Sequence, residues 1–336
     1  MIRFRFAPGG SPRLRIAYSP LWECVISVRV LLDPASHVLF QPWIRRVAAA
    51  VDAEDVRLLG ALVRSDGRYI PDFLAPPPSV PGVAFRAELA RVRNTPPEVL
   101  RAEVARAADG AGGAEAARLL ARYDADPFAL RAAVAEVLER YWGAAIEPEW
   151  PRIEALLAGE VLWRARTLAL HGAGEVLRGL HPGVAHPPNA VHVSSAQEGE
   201  VQLGSSDLLL VPSLFAWPDV FTVHDQRWRA SIYYPARGAG TLWAAPAAPH
   251  GSSGRDALAL LAGPGRARVL RALVAPATTT ELAARLGASP ASVSVHLRRL
   301  WKAGCLERIR VGRHVFYQVS AMGHDVLAAV GKGTPP

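Results

Sequence analysis

The 336-residue chain is 50% hydrophobic, 20% charged and 7% aromatic, enough to fill more than one core and a composition that excludes a disordered chain. Its formal net charge of +8 is unevenly placed: Met1 to His250 carry 26 Arg against 26 acidic residues, whereas Gly251 to Pro336 carry 10 Arg and 2 Lys against 4. The last quarter therefore holds the whole excess, as expected of a segment that docks on phosphates.

Ile2, Phe4 and Phe6 alternate with Arg3 and Arg5, the pattern of a short strand. Without an apolar h-region, this start predicts no secretory signal. Ser19-Pro20 reads as an N-cap with proline at the first helical position; Leu21, Val25, Val28 and Leu32 follow at helical spacing up to Asp33-Pro34. Pro76-Pro77-Pro78 and Pro81-Gly82 mark a rigid loop. The next stretch, of roughly a hundred residues, reads as helical. It is broken at Thr95-Pro96-Pro97, Gly110 to Gly113 and Glu147-Pro148, with one clear stripe of Leu130, Val134, Val137 and Tyr141. Pro151 to Leu180 is a longer helix with a break expected at Gly172. After His181-Pro182 come short β-rich runs at Val191–Val193, Val201–Leu203, Asp207–Val211, Val220–Val223 and Ser231–Tyr234. Helices first and strands later predict an α+β domain over 1–236. An Ala, Gly, Pro and Ser-rich linker is expected over 237–254, and a second domain over 255–331.

In that second domain, Asp256–Leu261 and Arg266–Leu273 read as helices flanking Gly263-Pro264-Gly265. Thr278 and Glu281 have capping-box spacing and open a helix that stops at Gly287. Ser289-Pro290 then starts a helix over Ala291–Ala303, giving two short helices across a glycine turn, the helix-turn-helix arrangement. Val293, Leu297 and Leu300 make the face to be buried. Ala291, Val295, Arg298, Arg299 and Lys302 fall opposite, flanked by Ser292 and Ser294. Small and polar residues there permit close approach to base edges, and the cations are placed for phosphates. Leu306–Val311 and His314–Val319 predict a two-stranded ribbon with Ile309, Val311, Val315, Tyr317 and Val319 inward. Gly312-Arg313 would be its tip, with Arg310, Arg313 and His314 near the turn. A final helix, Met322–Val330, is apolar on one side and suits a partner subunit.

This module resembles the winged helix-turn-helix of ArsR-type bacterial repressors. The resemblance rests on Ser289, Pro290, Val293, Ser294, His296 and Leu297 at the start of the recognition helix. Ala303-Gly304-Cys305 at its exit and Gly312-Arg313 in the wing add to it. It implies a dimeric regulator of double-stranded DNA contacted by Ser289, Ala291, Ser292, Ser294, Val295, His296, Arg298, Arg299, Lys302, Arg310, Arg313 and His314, with bracing of the helix against its neighbours as the alternative for His296. Two departures stand out: Val295 replaces a polar or basic reader, and Glu281–Leu286 lacks the Cys-x-Cys of metal-sensing members. Tyr18–Glu23, Tyr69–Leu74, Leu89–Pro97 and Val211–Pro218 resemble an uncharacterised domain found ahead of such regulators, which brings no activity with it.

The rest of the chemistry is sparse. Cys24 and Cys305 are far apart and read as buried thiols in a reducing cytoplasm, not as a disulfide or zinc site. His171, His181, His186, His192 and His224 have no shared helical spacing and predict no metal. No apolar run reaches membrane-spanning length, so no membrane association is expected. Catalytic signatures such as GxSxG, HExxH or a phosphate loop are missing, so neither an enzyme nor a cofactor is expected. Trp217, Phe221, Trp228, Tyr233, Tyr234 and Trp243 read first as core, with a small-molecule effector pocket as the minority reading. An enzyme or a protein-interaction domain tethered to the DNA-binding module is the alternative for the large first domain.

Overall fold

The structure, a computed structural model, describes residues 1–7, 13–63, 69–109, 121, 126–204, 206–239, 242–243, 257–273, 277–311, 314–320, 322–323 and 326–327. It divides into two compact units, Met1–Trp243 and Ala244–Pro336. The first opens with strands β1 (Ile2–Phe6) and β2 (Arg13–Ile16), then helices α1 (Pro20–Leu32), α2 (Gln41–Val47) and α3 (Ala53–Leu62). After a 3-10 turn at Asp72–Leu74 come α4 (Phe85–Arg93), α5 (Pro97–Asp109), α6 (Pro127–Tyr141) and α7 (Trp150–Arg178). Strands β3 (Val184–Ala185), β4 (Ala190–Val193), β5 (Gly199–Gly204), β6 (Asp207–Ser213), β7 (Phe221–Val223) and β8 (Ser231–Pro235) complete it.

The fold is α+β, and its first two strands belong with the last six. One sheet runs β3-β4-β1-β5, the other β2-β6-β8-β7. β1 pairs antiparallel with β4, Phe4 opposite Val191; β6 lies parallel between β2 and β8, Val211 opposite Tyr233. Alternation along β6 explains the layering. Leu209 and Val211 face the helical core, whereas Leu208 and Leu210 join Ile2, Phe4, Val191 and Val193 in a second core. A strand buried on both faces needs a continuous apolar run, which Leu208–Val211 supplies.

Ser19 caps α1 by accepting from Trp22 N at 2.9 Å. The helix presents no solvent face over its first eleven residues, Pro20 to Val30. Even Glu23 is buried, accepting the backbone N–H groups of Leu214 and Phe215 at 3.1 and 3.2 Å. α7 carries the expected break: Gly172 sits at φ 78, where only glycine escapes a Cβ penalty. The interruption expected at Gly110 to Gly113 lies outside the described residues.

The linker expected from 237 starts later. Arg237 Nε donates to Glu160 Oε2 at 2.7 Å, and its guanidinium lies 3.3 Å from the centroid of the Trp163 ring. Trp243 is buried among Phe40, Trp43 and Phe215. Its Ala, Gly and Pro surroundings read as linker, but one indole carries enough apolar surface to anchor that stretch to the core.

The second unit comprises α8 (Ala257–Ala262), α9 (Pro264–Ala272), β9 (Ala277–Thr278), α10 (Thr279–Leu286), α11 (Pro290–Lys302), β10 (Leu306–Val311) and β11 (His314–Val319). Leu258, Leu270, Leu282, Val293, Leu297, Leu300 and Leu306 fill its core. Its sheet runs β10-β11-β9, so the ribbon gains a short third strand that pairs with Phe316 and Tyr317. Val315, expected inward, is exposed; β9 pairs only with Phe316 and Tyr317 and does not reach it. Most of the helix expected at Met322–Val330 lies outside the described residues.

Candidate nucleic-acid interface

Local rules build the two helices. Thr278 Oγ1 accepts from Glu281 N at 3.3 Å, and Glu281 Oε2 accepts from Thr278 N at 2.7 Å, closing the capping box on α10. Gly287 ends α10 in the left-handed region at φ 59. Ser289 Oγ accepts from Ser292 N at 3.2 Å, so the serine expected at the DNA surface is first the cap of α11, though it stays exposed.

The face of α11 opposite its core stripe is open. Ala291, Ser292, Val295, Arg298, Arg299 and Lys302 are exposed and Ser294 is half-buried. Arg298, Arg299 and Lys302 have no hydrogen bond or ion pair among the described residues. Three other arginines of the unit are committed to carbonyls: Arg268 to Leu286 O at 3.0 Å, Arg285 to Ala272 O at 3.2 Å, and Arg266 to Ala262 O. Among the described residues, these ties to helix carbonyls contrast with the unpaired row Arg298, Arg299 and Lys302 along α11.

His296 has the geometry of its alternative reading, a brace. It is half-buried, and a Cβ built on Gly265 would lie 2.5 Å from its Nε2. The imidazole occupies the space Gly265 leaves on α9, so it braces α11. In the ribbon, Arg310 is exposed; Arg313 and the side chain of His314 lie outside the described residues. Sequence reasoning missed Arg308, which sits 4.3 Å from the Trp301 ring centroid and ties the ribbon to the end of α11. The signal was present as a tryptophan on an otherwise polar helix face.

Residues 261–309 match a family described as a helix-turn-helix domain. The C-terminal unit is a helix-turn-helix domain. Residues 95–240 match DUF5937, a family of unknown function, so the helix-turn-helix domain follows a large domain without an assigned role. No curated protein and no solved structure matches the chain. The helix-turn-helix makes it a DNA-binding transcriptional regulator. No helix among the described residues is long and apolar enough to cross a membrane, and no three metal-ligating side chains cluster among them.

Proposed function

We propose that the chain is a cytoplasmic, dimeric repressor of the ArsR type that works by binding alone, without catalysis or a cofactor. Each protomer lays α11 in a major groove, and two-fold symmetry calls for an inverted-repeat operator with half-sites about 10 bp apart or a multiple of it. The observation that carries this reading is the unpaired row Arg298, Arg299 and Lys302 beside the small exposed residues Ala291, Ser292 and Val295. The cations take phosphates, and Val295 offers an apolar contact suited to a thymine methyl. The ribbon, with Arg310 and Arg313, lies along the backbone, and the N-terminal unit takes a small-molecule effector.

Fluorescence anisotropy on the chain's own promoter tests the interface. Arg298→Ala and Arg299→Ala each weaken binding and flatten the plot of log affinity against log salt by about 0.9 per lost phosphate contact. An unchanged slope in the double variant, or no binding to promoter and random duplex alike, defeats the assignment.

A further inference from the structure

We propose that Arg308 is a further DNA-contacting cation, seated by Trp301 at the last turn of α11 so that it takes a backbone phosphate next to those met by Arg298 and Lys302. This rests on the reading of α11 as the groove-facing helix, and it carries that face from the helix onto the ribbon.

Strand geometry puts Arg308 on the side of the ribbon that meets α11. In the β10–β11 pairing Leu306 stands opposite Val319, and Arg308 stands opposite Tyr317. Side chains alternate along a strand and directly opposed residues share a face. Leu306, Arg308 and Arg310 therefore line one face together with Val319, Tyr317 and Val315. At its base that face is apolar, where Leu306 and Val319 join the core of the unit with Leu297 and Leu300. Further out it is cationic, with Arg308 and Arg310 both exposed.

Trp301 fixes where the Arg308 guanidinium goes. The indole is 38% exposed and takes no part in the core of its unit. Its ring centroid lies 4.3 Å from Arg308 Cζ. A half-open ring contributes little by burial, but beneath a guanidinium it restrains an otherwise flexible side chain. The contact uses no hydrogen-bond acceptor. Arg308 makes no hydrogen bond or ion pair among the described residues, so its N–H fork is available to a phosphate.

The neighbouring charges select an anion. Arg298 has Trp301 and Lys302 as its neighbours one helical turn on, and the ring brings in Arg308 as a third cation. The two acidic residues described in this unit are committed elsewhere. Glu281 closes the cap of α10, and Glu307, on the opposite ribbon face, accepts from Gln318 Nε2 at 2.9 Å. Cations gathered without a carboxylate repel one another in the free protein, and a run of phosphates relieves that repulsion.

Fluorescence anisotropy of the full chain on its own promoter duplex, over a series of salt concentrations, tests the assignment. Arg308→Ala lowers the slope of log affinity against log salt by about 0.9 and weakens binding about five- to tenfold at about 0.1 M salt. Arg308→Lys keeps the slope. Trp301→Ala weakens binding but adds nothing in the Arg308→Ala background, whereas Trp301→Phe, which retains a ring, keeps most of the affinity. None of these variants shifts the melting of the C-terminal unit, since both side chains are exposed. An unchanged slope in Arg308→Ala, additive losses from the two alanine variants, or a lowered melting temperature in place of a lowered slope overturns the proposal. If Arg298→Ala flattens the slope and Arg308→Ala does not, only this assignment falls. If the wild-type chain binds neither promoter nor random duplex, the groove-facing reading of α11 falls with it.

Discussion

At Gly265 the absence of a side chain is filled by a residue from another helix. The His296 ring lies where a Cβ would sit, and that contact sets how deeply α11 is seated on α9. Gly265→Ala should destabilise the C-terminal unit by about 1–3 kcal/mol through overpacking and weaken DNA binding with it. His296→Ala in the same chain should recover most of that loss, because the clashing ring is gone. A double-mutant cycle on melting and anisotropy data checks the coupling; additive effects would show that the two residues act independently. Sequence reasoning could put His296 on the helix but not decide its direction. Gly265 is thirty-one positions away, and only the packing of α9 on α11 brings the two together.

Between elements, the N-terminal unit is pinned by buried carboxylates. Glu88 of α4 accepts from Ser19 Oγ at 2.7 Å and from Leu21 N at 3.0 Å, so it caps the first turn of α1 from across the core. Burial raises its pKa to about 7, above the ordinary glutamate value of the unfolded chain. The folded state therefore holds a proton that the unfolded state gives up between about pH 4.5 and 7, and stability falls as pH rises through that window. Glu88→Gln keeps the acceptor and removes the charge. It should match the wild type at pH 4, exceed it at pH 8, and unfold with a flatter pH dependence in urea titrations of the full chain. A variant whose pH profile parallels the wild type would place the titration elsewhere. This carboxylate was not legible as a cap in the sequence, since Glu88 stands sixty-nine residues from Ser19.

Across the whole molecule, two units with separate cores carry opposite electrostatic tasks: a neutral first unit and a second that holds all the excess charge. Calorimetric melting of the full chain should show two transitions. Leu297→Ala, at a fully buried position of α11, should lower only one of them, by about 2–5 kcal/mol of unit stability. A single transition moved as a whole would mean that the units unfold together. The same variant should lose DNA binding.

Much of the second unit could be read directly from the chain. The capping box at Thr278 and Glu281, the turn at Gly287, the cap at Ser289 and the stripe Val293, Leu297 and Leu300 are all within about four residues of what they organise, the range over which local rules act. The strands from Asp207 to Tyr234 and the break at Gly172 were legible for the same reason. Helices α2 and α3, the strand Arg13–Ile16 and the third strand at Ala277–Thr278 were not: they are short, and their pairing or burial comes from distant residues. Local pattern thus determined helix α11, its buried stripe and the charge of its open face. Tertiary structure alone decided that His296 turns inward, that Trp243 belongs to the first core, and that Glu88 caps α1, because burial of a polar group depends on neighbours that chain order does not reveal.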